Sequence, residues 1–159
     1  GTGDTDLSGF AIGNDFSSFT TLDVSSVITN VNVDTSTADF QQAAGQFVTY
    51  NIGATQDGTN AIDVNFTSNE AREVFSFAGD DIGEVQLNDL TAGNDPVAGD
   101  RIDLSQFSTI TSAGDLIFTD QGADLVITDL GGDDFGGSIT LTGLAGQADD
   151  VASFNIIYA

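Results

Sequence analysis

Cysteine, histidine, lysine, methionine and tryptophan are all absent from this chain of 159 residues, and proline occurs once, at Pro96. Without cysteine or histidine there is no thiol nucleophile, disulfide, structural zinc site or imidazole base. Any catalysis would have to run on carboxylates, hydroxyls and two arginines, so the chain reads as a non-enzyme. Basic residues are nearly missing as well. Arg72 and Arg101 face 22 aspartates and three glutamates (Glu70, Glu73 and Glu84), for a formal charge of −23. Such a charge repels phosphate backbones and anionic membrane surfaces, which argues against nucleic-acid partners and surface adsorption. No apolar run approaches the roughly 20 residues of a membrane-spanning helix. The chain opens at Gly1 without a basic and apolar leader, as expected of a processed product or a fragment.

What is present is enough apolar material to fold. Hydrophobic residues make up 40% of the chain and twelve phenylalanines run from Phe10 to Phe154, which sets it apart from acidic disordered chains. The patterning has period two. Val27, Thr29, Val31 and Val33 alternate with polar residues, as do Val48, Tyr50 and Ile52, then Ile62, Val64 and Phe66. Phe75/Phe77, Val85/Leu87, Ile102/Leu104, Leu116/Phe118, Leu125/Ile127, Ile139/Leu141 and Phe154/Ile156 continue it. Gly, Asn and Asp clusters separate these runs, which predicts an all-β fold of many short strands, either a β-solenoid or β-roll or a β-sandwich. One short helix is expected at about 37–45, with a second short turn at Ser112–Leu116. The chain reads as a single β domain over 1–159. Its Thr/Ser/Asn-rich half covers 1–72 and its acidic half covers 73–159.

Aspartate recurs beside Gly or Asn at strand ends. Calcium takes six to eight oxygens from carboxylates, carbonyls and Asn side chains, and an Asp-rich turn exposes several at once. Aspartate's short side chain keeps its carboxylate near the turn backbone, which fits the scarcity of glutamate. Asp80, Asp81, Asp89, Asp95, Asp100 and Asp103 are the leading calcium ligands on this reading, followed by Asp4, Asp6, Asn94, Asp133 and Asp134. Two rival causes could produce the same acidic turns. Asp and Asn favour turns through their own side-chain-to-backbone bonds, and halophilic surfaces are also acidic and lysine-poor. Glu70/Glu73 and Asp133/Asp134 are the nearest carboxylate pairs for glycosidase chemistry, but solvated turns are poor places for a general acid. Arg72 and Arg101, each flanked by acids, are expected to form local ion pairs.

The segment from Glu73 carries a family resemblance. Glu73 to Asp81 (EVFSFAGDD), Val85 to Asp95 (VQLNDLTAGND), Gly99 to Phe107 (GDRIDLSQF), Gly122 to Asp129 (GADLVITD) and the acidic-then-apolar end from Ala148 to Ala159 make it up. This region resembles the RTX-associated C-terminal module of type I secreted bacterial proteins, among them serralysin-like proteases, adhesins and surface-layer proteins. The diagnostic Gly-Gly-x-Gly-x-Asp nonapeptide occurs nowhere intact, and residues 1–72 lie outside the resemblance. The resemblance implies a calcium-stabilised, exported, bacterial extracellular or cell-surface protein. Within the family, acids around the Asp-x-Ile-Asp-Leu-Ser turn close off the last coils, a role that would fall here to Asp100 and Asp103.

The combined expectation is a secreted calcium-binding structural protein that self-assembles into a filament, surface layer or biofilm matrix. Residues 1–25 are a candidate exchanged strand between copies. The alternative is a secretion and stability module of a larger type I secreted hydrolase or adhesin. A lectin-like domain is a third reading, and one poorly served by a chain with only Tyr50 and Tyr158 beside its phenylalanines.

Overall fold

The structure is a computed structural model, and it describes residues 5–6, 21–23, 31–34, 47–52, 64–67, 72–78, 82–88, 90–93, 99–131 and 136–159. Twelve strands are described: β1 (Thr5–Asp6), β2 (Thr21–Asp23), β3 (Val31–Asp34), β4 (Phe47–Ile52), β5 (Val64–Thr67), β6 (Arg72–Phe77), β7 (Gly83–Asn88), β8 (Arg101–Asp103), β9 (Leu116–Gln121), β10 (Asp124–Asp129), β11 (Gly137–Leu141) and β12 (Ile156–Ile157). They form two sheets, a seven-stranded one in the order β1-β3-β5-β7-β11-β10-β9 and a five-stranded one in the order β12-β8-β6-β4-β2.

From β1 to β8 the chain alternates between the sheets, odd strands in one and even strands in the other. Parallel neighbours need a crossover connection, and here each crossover contains a strand of the opposite sheet. Pairing is parallel throughout the five-stranded sheet and across β1, β3, β5, β7 and β11. The β11–β10–β9 end is antiparallel.

Register turns the period-two pattern into rows of like residues. Tyr50 lies opposite Phe75, Phe75 opposite Ile102, and Ile102 opposite Ile156. In the other sheet Val85, Ile139 and Ile127 form one row, and Leu87, Leu141 and Leu125 the next. Both sets are buried and belong to one apolar cluster, so the inward faces of the two sheets share a core. The alternation along β7 and β10 is strict, as expected of strands with one face turned inward.

The first residues of β7 and β11 meet closely. Gly83 adopts φ +64°, a left-handed conformation that favours glycine. Gly137 lies opposite it in the ladder. A Cβ on Gly137 would overlap the Gly83 carbonyl oxygen and stand 2.8 Å from its nitrogen. The Gly137→Ala variant is therefore expected to lose about 2 kcal/mol or more, the cost of forcing backbone apart in a packed region. A lowered urea midpoint at unchanged m-value would show it.

Two parts of the sequence reading are corrected. The Phe154/Ile156 alternation is not a strand. A short helix, α1 (Ala148–Asp150), leads into a π-helical turn, Val151–Asn155, and only Ile156–Ile157 is extended. Helical winding puts Val151 and Asn155, four positions apart, into the interior and leaves Phe154 39% exposed. The C-terminal helix itself has no counterpart in the sequence-based expectation. The turn expected at Ser112–Leu116 is present as a 3-10 turn, Ala113–Asp115. The helix expected at 37–45 lies outside the described residues. The candidate exchange segment 1–25 is described only at β1 and β2, which pair within the chain with β3 and β4.

Candidate functional site

The acidic residues of the described chain cluster at strand ends, and most of those whose partners are seen hold backbone amides. Asp100 precedes β8 and is fully buried. Its Oδ1 accepts from the Glu73 amide at 3.0 Å and its Oδ2 from the Thr91 amide at 2.8 Å. One short side chain therefore ties β6, β8 and the segment after β7 together. Asp103, three positions on, is half-buried. Its Oδ1 accepts from the Ser105 amide at 3.0 Å, an Asx-type turn, and Ser76 donates to its Oδ2 at 3.4 Å. Because Ile102 between them points into the core, strand alternation sends Asp103 outward, while Asp100, just before the strand, turns inward. The two residues of the Asp-Arg-Ile-Asp motif do not share a site.

The same use of aspartate recurs further along. Asp124 accepts from the Gly143 amide and Asp120 from the Gly146 amide, both at 2.9 Å, so the β9–β10 hairpin holds the loop after β11. The Asp115 Oδ2 gathers four donors: the amides of Thr111 and Ser112 at 3.0 Å and their hydroxyls at 3.1 Å. These bonds, led by the Thr111 amide, hold the Asp115 carboxyl below its ordinary value. A depressed folded value means that the contribution of Asp115 is present above the unfolded carboxylate range and is lost as pH falls through the folded value. The Thr111 and Ser112 amides are thus expected to lose exchange protection below about pH 4, the unfolded aspartate range. In Asp115→Asn that pH dependence should vanish, which amide exchange followed across pH 2–6 would test.

Two buried polar residues complete the region around Asp100. Glu73 is fully buried, and its Oε1 accepts from the Tyr50 hydroxyl at 3.0 Å. Period two contained the signal: Glu73 shares parity with the inward Phe75 and Phe77. The local ion pairs expected of Arg72 fall on a side chain outside the described ones. Asn155, from the π-helical turn, is also fully buried. Its Nδ2 donates to the carbonyls of Thr91 at 3.0 Å and Asp100 at 2.8 Å, while its Oδ1 accepts from the Gly93 amide at 2.9 Å. No periodicity marks Asn155, because its importance comes from contacts more than 50 residues away in sequence. The Arg101 Nη1 donates to the carbonyls of Gly99 and Asp100, both at 2.9 Å.

Among the described residues no group of three or more acidic side chains converges as a metal cage. Asp6 is described only as part of β1, opposite Asn32. Asp4, Asp80, Asp81, Asp89, Asn94, Asp95, Asp133 and Asp134 lie outside the described residues. Of the calcium ligands expected from sequence, Asp100 and Asp103 are therefore seen with their partners, and both hold backbone amides. No helix among the described residues is long and apolar enough to cross a membrane. Searches of protein-family models, of curated proteins and of solved structures find no match to this chain.

Proposed function

We propose that this chain is a secreted, calcium-binding structural protein of bacterial origin, built as a β-roll and assembling with further copies of itself into an extracellular filament, surface layer or matrix. The observation that carries the reading is the pairing of every second strand, parallel and in register, while the chain winds between two sheets. This arrangement orders both sheets from N-terminal strands at one pole to C-terminal strands at the other, and it puts a connection at the end of every strand. Many of those connections carry aspartate. At a net charge of −23, packing copies together costs repulsion that bound divalent cations would offset. The calcium reading rests on the acidic clusters at Asp80/Asp81, Asp89, Asn94/Asp95 and Asp133/Asp134, together with the RTX-like segments from Glu73 onward.

A second reading is that the chain is the secretion and calcium-stabilised module of a larger exported hydrolase or adhesin. It is favoured by the terminal position of β1 and β2 in their sheets, since parallel end strands offer a template for further coils. Electron microscopy in millimolar calcium and after chelation separates the two. Ordered assemblies that dissolve on chelation are expected. Dispersed particles in both conditions, with calcium raising only the melting temperature, would support the module instead.

A further inference from the structure

The geometry points to residues 148–159 acting as a strap: a C-terminal segment that docks as one unit, is keyed by Asn155, and on release opens the edge of β8 and the contacts of Thr91, Gly93 and Asp100 in a single step. The strap covers the outer edge of β8 by only a two-residue ladder, Ile156 opposite Ile102 and Ile157 opposite Asp103. So short a strand is a weak edge cover by itself. The remaining hold comes from buried groups and specific bonds. Val151 and Ile156 enter the core. The Leu104 amide donates to the Ile157 carbonyl at 2.9 Å, and the Ala159 amide donates to the Ile110 carbonyl at 3.1 Å. Within the strap the Tyr158 hydroxyl donates to the Ala152 carbonyl at 2.9 Å.

Asn155 makes the docking cooperative with a distant segment. All three of its side-chain bonds leave the strap, and they reach Thr91, Gly93 and Asp100, on both sides of residues 94–98. The Thr91 amide is in turn held by the Asp100 carboxylate. When the strap lifts, the Thr91 and Asp100 carbonyls and the Gly93 amide lose this partner together, and β8 becomes the end strand of its sheet. An uncovered parallel edge is a template for pairing with another chain, so the strap guards the sheet as well as closing it.

Residue-resolved hydrogen exchange on the full chain tests the coupling. The Leu104 and Ala159 amides report docking, Gly93 reports the 91–93 segment, and Ile127 in β10 serves as the control. In Asn155→Ala, exchange at Leu104, Ala159 and Gly93 is expected to rise together by about tenfold or more, with Ile127 unchanged. A rise at Gly93 alone would mean that the strap and the 91–93 segment are independent, and would overturn the inference. Tyr158→Phe provides the decisive second arm should Asn155→Ala unfold the whole chain. Its lost bond lies within the strap, yet Gly93 should speed up alongside Leu104 and Ala159. Faster strap amides with an unmoved Gly93 would sink the idea.

Discussion

Phe75→Ala is expected to lose about 3–5 kcal/mol, a large fraction of the roughly 5–15 kcal/mol that holds a domain of this size together. Phe75 is 1% exposed and stands in the middle of the inward row of the five-stranded sheet, with Tyr50 opposite on one side and Ile102 on the other. Its ring stacks on Tyr50 with centroids 5.3 Å apart and planes 17° from parallel. Alanine would remove most of that buried surface and open a cavity that neighbouring strands cannot collapse without breaking register. The loss also reaches a polar group. Tyr50, no longer held on that side, carries the hydroxyl that donates to buried Glu73. Phe75→Leu keeps much of the volume and should cost less than half as much. Urea unfolding at fixed calcium concentration measures both, since a bound ion would otherwise shift the apparent stability.

Asp100→Ala is expected to cost about 4 kcal/mol, by a different route. The side chain is small and little apolar contact is lost. Two backbone donors, the amides of Glu73 and Thr91, lose their acceptor, and an orphaned buried donor costs roughly 1–3 kcal/mol. Asp100→Asn keeps one acceptor oxygen but turns an NH₂ group toward the other amide, so about half the loss should remain. Calcium decides between the two roles open to this residue. A carboxylate that serves only as an amide acceptor gives the same loss in calcium and in chelator. A calcium ligand gives a larger loss in calcium, and that outcome would return Asp100 to the metal site its motif resembles.

The two variants probe features that differ in how readable they are. Phe75 is plain from the Phe75/Phe77 alternation, because a residue of one parity in a half-buried strand has only one place to go. Glu73 is readable by the same rule, although its charge argues for the surface. Asp100 stands out in the sequence, but as a calcium ligand. Sequence places the carboxylate at a turn and leaves open whether a cation or a backbone amide will occupy it. Asn155 leaves no trace, since its partners lie 55–64 residues away.

By itself, the sequence determined the all-β character, the inward residues of most strands whose burial is described, and the absence of any thiol or imidazole in the chain. Each follows from composition or from a period of two, and both are local properties. Tertiary structure alone decided that parallel strands two apart in sequence become neighbours, that the buried Asp100 carboxylate meets the amides of Glu73 and Thr91, and that the C-terminal run winds rather than extends. These depend on which backbone groups meet across tens of residues. A buried amide must find its acceptor wherever the fold brings one.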